Sequence, residues 1–232
     1  MPIPTAPTAC ATMWTDGLFI TGTDTEVGKT ATTALLARAL VLAGQAPTAM
    51  KPMATGSAPP GEDALALARG AGHPPKVWRC WPTPVAPNRA ARMAGATVPI
   101  HDCLRWIRRQ PKPWMVEGVG GWRVPLAPGW DVSRLARTLA LPVLVVSANR
   151  LGTLNHTLLT VEAVRASGLA VVGVVLNGGV AGASDASTTF GRGNLDDLRT
   201  QLPGVPVVPI PRIRPPDTDA LARRLLSSLT GR

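Results

Sequence analysis

The chain has 232 residues, 24 Lys or Arg against 14 Asp or Glu, and a formal charge of +10. That length suits one α/β domain with a continuous buried sheet; no apolar run reaches bilayer-spanning length, and residues 1–13 lack the basic start and long apolar stretch of a secretory leader. The basic excess is dispersed arginine, as in Arg108-Arg109 and Arg223-Arg224 on predicted surface helices, with no aromatic residues interleaved in a basic stripe, which argues against nucleic-acid binding.

Residues 1–13, rich in Pro, Thr and Ala, read as a disordered tail ahead of a single domain over 14–232. From there apolar runs alternate with helical patterns. Strand 17–21 precedes helix 28–43, strand 47–52 precedes helix 62–70, and helices 87–94 and 99–109 lead to strand 113–117. Helix 131–140, strand 142–147, helix 153–167 and strand 170–176 follow, then helix 194–201, strand 205–209 and helix 217–229. Such alternation predicts βαβ units and a mostly parallel sheet flanked by helices. Pro142–Val146 and Val171–Leu176 lack polar alternation, as interior strands covered on both faces do. Residues 178–193, rich in Gly, Ala, Ser and Thr, read as a flexible loop.

The stretch Gly22-Thr23-Asp24-Thr25-Glu26-Val27-Gly28-Lys29-Thr30 sits between the first strand and the first helix. Backbone N–H groups turned inward at a helix N-terminus form an anion site. Gly28 lets the backbone approach phosphates, Lys29 brings a movable charge and Thr30 a hydroxyl for Mg²⁺. The common G-x-x-x-x-G-K-[ST] pattern wants glycine at Thr23; here it stands one residue earlier, at Gly22. Thr30, Asp63 and Glu117 fall at the ends of three βα segments, so the fold can gather a hydroxyl and two carboxylates around one hard cation. The plainer readings are a dipole-complementing Asp63 and a surface carboxylate at Glu117. Lys51, one of only four lysines, is read as the end of the second strand, with Pro52 stiffening the turn after it. Gly152, Thr153, Leu154 and Asn155 open a helix directly after a buried strand; their free N–H groups suit a carboxylate, or Thr153 merely caps the helix.

Cys10, Cys80 and Cys103 lie far apart and imply neither a disulfide framework nor zinc, which favours a reducing, cytoplasmic setting. His73, His101 and His156 stand at no metal-ligand spacing, and His156 reads as a packing or hydrogen-bonding residue.

The expanded loop, with Lys51-Pro52-Met53-Ala54-Thr55-Gly56, Glu62 to Leu67, Glu117 to Leu126 and Arg150 to His156, resembles the ordered motifs of the dethiobiotin synthetase family over roughly residues 16 to 177. The resemblance implies a P-loop NTPase-like fold and an ATP-dependent cyclo-ligase that carboxylates 7,8-diaminononanoate with CO₂ and closes a ureido ring. It implies nucleotide contacts from Thr25, Glu26, Val27, Gly28, Lys29, Thr30 and Ala31, from Asp63, from Glu117, Gly118, Val119 and Gly120, and from Asn177 and Pro211. Thr30, Asp63 and Glu117 match Mg²⁺ ligands, and Lys29 and Lys51 match the catalytic lysines. Thr55 matches a hydroxyl that meets the diamine. Gly152 to Asn155 match a helix start that holds the substrate carboxylate from a neighbouring subunit, so a homodimer is implied. Asn177 is followed by Gly178-Gly179 where the family continues with arginine, and Asn88 stands where Pro87-Asn88-Arg89 would carry the family's histidine. Two rivals are an amidoligase of other substrate and a partitioning-type switch ATPase; the latter's loop carries a second lysine where Asp24 stands here.

Overall fold

The computed structural model describes residues 14–178, 187–211 and 218–231, with 187–192 described by backbone alone. The tail expected at 1–13, including Cys10, and residues 179–186 of the expected loop lie outside the described residues. In chain order the elements are β1 (Gly17–Gly22), α1 (Lys29–Leu42), β2 (Thr48–Thr55), α2 (Glu62–Ala71), β3 (Val77–Trp81), α3 (Pro87–Met93), α4 (Ile100–Arg108) and β4 (Trp114–Gly121). The chain continues through β5 (Pro125–Ala127), β6 (Trp130–Asp131), α5 (Val132–Leu139), β7 (Val143–Ala148), α6 (Thr153–Ala166), β8 (Val171–Asn177), α7 (Ser187–Gln201), β9 (Val207–Ile210) and α8 (Thr218–Thr230).

Seven strands form one parallel sheet in the order β3-β2-β4-β1-β7-β8-β9, and β5 and β6 form a small antiparallel pair beside it. Because side chains alternate across a strand, consecutive apolar residues feed two different cores. Leu18, Ile20, Leu144 and Val146 pack with Leu36 of α1, Leu67 of α2 and Leu225 of α8. Phe19, Val143 and Val145 pack on the other face with Ile107 of α4, Leu135 of α5, Val161 of α6 and Leu198 of α7. The uninterrupted apolar runs are therefore interior strands, β7 and β8, as expected. Among the described residues no helix is long and apolar enough to cross a membrane.

The strands depart from expectation in instructive ways. β3 was absent from the sequence reading because only Trp81 of its five residues is buried, as suits an edge strand. β2 runs on to Thr55, so Lys51 and Pro52 lie inside it rather than at its end. Pro52 is tolerated because pairing with β4 stops at Met50↔Val116, while Lys51 donates its N–H to Lys76 O of the β3 side. β4 likewise continues past Glu117 to Gly121, with a break in its register against β1 between Ile20 and Gly22. The separation of β2 from β4 opens a crevice at the carboxyl ends of the strands. Finally, α7 begins at Ser187 and not near residue 194, so part of the expected loop is helical. Its first turns are Ser-, Thr- and Gly-rich, while Leu198 in its later part and Leu202 just after it are buried in the core.

Candidate active site

The phosphate loop joins β1 to α1 and makes two left-handed turns, at Glu26 (φ 56°) and Gly28 (φ 91°). Val27 between them is buried. Lys29 is buried too, and its Nζ donates to Asp24 O at 2.7 Å, folding back over the loop. Burial, with the nearby Lys51 charge, pulls the Lys29 ammonium down from the ordinary lysine value to about 8. Asp24 caps the same loop by accepting the Thr25 N–H at 2.7 Å, and its other oxygen pairs with Arg150 at 3.0 Å.

Beside the loop, α1, β2, α2 and β4 contribute to one cluster. The Thr30 hydroxyl, in the first turn of α1, lies 3.0 Å from Asp63 Oδ1 and 2.8 Å from Glu117 Oε1. Lys51 Nζ reaches Glu117 Oε1 at 2.6 Å, Asp63 Oδ2 at 2.8 Å and Gly118 O at 3.1 Å. The Lys51 and Glu117 side chains are 5% and 0% exposed, so these charges are out of water and must compensate each other. Burial alone would push the Lys51 ammonium down, but Glu117 and then Asp63 outweigh it and hold it above the ordinary lysine value. Burial likewise opposes ionisation of Asp63, yet Lys51 holds its carboxyl below the usual range. Glu117 Oε2 is buried without a hydrogen-bond partner among the described residues.

These groups line a cleft of about 520 Å³ together with Thr25, Glu26, Gly28, Ala31, Thr55, Val119 and Gly120. Of the other expected residues, Val27 lies beneath the loop, and Gly118 meets the cleft through its carbonyl on Lys51. Asn177 ends β8 behind the loop, where its Nδ2 donates to Val27 O at 3.1 Å. Pro211 is exposed just beyond β9. Gly152, Thr153, Leu154 and Asn155 are not among the residues lining this cleft. Gly152 caps α6 with φ 88°, and Thr153 is turned inward, its hydroxyl 2.7 Å from Ser147 Oγ and its N–H donated to Arg150 O. The Thr153 amide is therefore not free for a carboxylate, contrary to expectation. His156 is exposed rather than packed, and Leu151, just ahead of α6, is 91% exposed. The pairing of Asp24 with Arg150 was not among the expectations, although an Asp one residue before a polar turn residue is a signal for such a cap.

A glycine-turned phosphate loop at the switch of a parallel sheet, faced by two lysines, a hydroxyl and two carboxylates, defines a P-loop NTPase-like α/β protein. A family profile described as an AAA domain matches residues 16–210. ATP-dependent dethiobiotin synthetase BioD of Ralstonia nicotianae is 41% identical over 214 residues, covering 86% of this chain and 90% of its own. The protein of that name from Pseudomonas aeruginosa (strain LESB58) is 38% identical over 224 residues, covering 89% and 94%. The one from Janthinobacterium sp. (strain Marseille) is 37% identical over 225 residues. The chain belongs to the ATP-dependent dethiobiotin synthetase family.

Proposed function

We propose that this chain makes dethiobiotin from 7,8-diaminononanoate, CO₂ and ATP. The observation that carries the reading is the meeting of Lys51, Thr30, Asp63 and Glu117 in one cleft beside the phosphate loop. Thr25 to Ala31 cradle the phosphates through backbone N–H groups, and Gly118, Val119 and Gly120 flank the nucleotide. Asn177 and Pro211 serve the base and sugar side.

Thr30, Asp63 and Glu117 fit Mg²⁺: all three offer hard oxygen donors, and the buried Glu117 Oε2 has no hydrogen-bond partner among the described residues. When bound, the ion neutralises charge on the β- and γ-phosphates. Lys29 leaves the Asp24 carbonyl for the phosphates. Lys51, pulled from its carboxylates toward the substrate, stabilises negative charge on the carbamate and the moving phosphoryl group. One amine of the diamine takes up CO₂ to give the carbamate. A carbamate oxygen attacks the γ-phosphorus and ADP leaves. The second amine then attacks the carbamoyl carbon, expelling phosphate and closing the ring. Both nitrogens belong to one molecule, so proximity supplies much of the acceleration, and no protein nucleophile is required.

Thr55 contacts the diamine, while the helix start at Gly152 to Asn155 from a second copy holds the distal carboxylate through amides other than that of Thr153, which is engaged by Arg150 O. The absence of that segment from the lining of its own chain's cleft supports action in trans within a homodimer. The reaction is assigned to the cytoplasm. Purified protein supplied with diaminononanoate, bicarbonate, Mg²⁺ and a panel of nucleotides is expected to release ADP and dethiobiotin in equal amounts. Nucleotide hydrolysis without ring closure counts against the substrate assignment.

A further inference from the structure

Asn177 touches the phosphate loop itself. Its Nδ2 donates to Val27 O at 3.1 Å, and the residue is only 9% exposed. Its carboxamide also lies against Gly28: a Cβ built on that glycine would stand 1.7 Å from Asn177 Nδ2. No residue but glycine fits there, both because the backbone is left-handed and because the amide occupies the space. The strand end that carries Asn177 is itself fixed. Its carbonyl accepts the Asn149 N–H at 2.8 Å, and the next residue donates from Gly178 N to Ile210 O at 2.9 Å. Asn149 is tied in turn to α7 through Asn194 Nδ2 at 2.9 Å.

The peptide plane makes this contact directional. Across a trans peptide the carbonyl oxygen and the following N–H point in opposite directions. Holding Val27 O on Asn177 therefore aims the Gly28 N–H away from β8, and Gly28 lines the cleft. Other ties of the loop are the Thr23 N–H to Val146 O, the Thr25 amide to Asp24, Lys29 to Asp24 O, and the Thr32 N–H to Gly28 O, which opens α1 and does not engage the Val27–Gly28 peptide. At the crown of the loop, Asn177 holds the Val27 carbonyl.

We infer that Asn177 is a positioning residue for phosphate recognition: it presets the Gly28 N–H through Val27 O, in addition to any contact with the base. The inference rests on the nucleotide-site reading above, and a ligand without a base separates the two. Inorganic tripolyphosphate with Mg²⁺ has the charge of the nucleotide tail and nothing for a base reader to touch. Its affinity and that of ATP are measured by calorimetry for wild type, Asn177→Ala and Asn177→Asp, the last keeping the shape over Gly28 while losing the N–H donor. Both variants are expected to bind tripolyphosphate and ATP about tenfold more weakly, by a common factor, with thermal midpoints near wild type. In the nucleotide-free protein the amides of residues 22–30 are expected to exchange with deuterium faster in both variants. A residue that only supports the fold would lower the midpoint and leave the tripolyphosphate affinity of the folded protein unchanged. Weakened ATP binding with unchanged tripolyphosphate binding and unchanged exchange would restrict Asn177 to the base and overturn the inference. If wild type binds ATP but not tripolyphosphate, the exchange rates decide alone. Wild type binding neither ligand would instead overturn the nucleotide site itself.

Discussion

Lys51 is the residue on which the site's electrostatics turn. Its ammonium bridges Asp63 and Glu117, one partly exposed and the other fully enclosed. Removing it leaves a buried carboxylate without compensation, a loss that ordinarily costs about 3–5 kcal/mol when one partner of a buried pair is deleted. Lys51→Met is therefore expected to lower the denaturation midpoint, abolish ring closure, and leave two carboxylates and a hydroxyl open to a divalent ion. Mn²⁺ added to the nucleotide-free variant should bind more tightly than to wild type, as read by the loss of the free-ion resonance signal; equal binding would mean that lysine and cation do not share these oxygens. Adding Glu117→Gln to Lys51→Met removes the orphan charge and should recover much of the midpoint without recovering activity. Lys29, Thr30, Asp63 and Glu117 were legible in the sequence because each stands beside glycine or a helix start after an apolar run. The Asp24–Arg150 pair was not, since 126 residues separate its members and both sit in stretches already explained by phosphate binding.

At the scale of elements, α5 illustrates how a local cap is built. Asp131 precedes the helix and accepts from the Arg134 N–H at 2.9 Å and from the Ser133 hydroxyl at 2.6 Å, with Arg123 at 2.8 Å. Partial burial works against the charge, but Ser133, then the Arg134 amide, then Arg123 outweigh it and hold the carboxyl below the usual range. A carboxyl depressed in the folded state contributes stability that is present above its unfolded value of about 3.9 and is lost as pH falls through the folded value. Asp131→Ala is expected to cost about 0.5–2 kcal/mol at neutral pH. The gap to wild type in urea titrations should shrink as pH drops below the carboxylate range; a gap that persists at acid pH would mean that the charge is not the source. The helix was legible here from its amphipathic pattern. α7 was legible only from residue 194, because residues 187–193, rich in Ser, Thr and Gly, have low helical propensity. β3 was missed for the complementary reason, an edge strand with too little burial to leave a periodic trace.

Across the whole molecule, the parallel sheet and its two cores follow from the apolar runs, but the strand order does not. Nothing in a linear pattern states that β4 slips between β2 and β1, and that insertion brings Lys51 and Glu117 within 2.6 Å. The same holds for the start of α6, whose motif is readable while its place outside the lining of its own chain's cleft is not. The proposed homodimer gives a direct test. Gly152→Pro forces φ toward −65° where the helix cap has 88° and swings the helix start aside. Each inactive on its own, Lys51→Ala and Gly152→Pro subunits mixed into heterodimers should regain about half of the normal activity, one intact site in two by symmetry. Heterodimers of folded subunits that stay inactive would confine each site to one chain.

Leu151, 91% exposed ahead of α6, also bears on how such an enzyme is handled at the bench. On the proposed homodimer, a leucine this open in the lone chain, next to the segment assigned to a partner's cleft, would tie catalysis to a second-order event. Turnover per milligram should then depend on dilution: flat at high protein concentration, and falling once the sample is thinned below the dissociation constant of the pair. Loss on dilution should reverse when an inactive Lys51→Ala chain is added as a silent companion, because each rare wild-type cleft would then be completed by the abundant companion's helix; a loss that persists would count against the shared site.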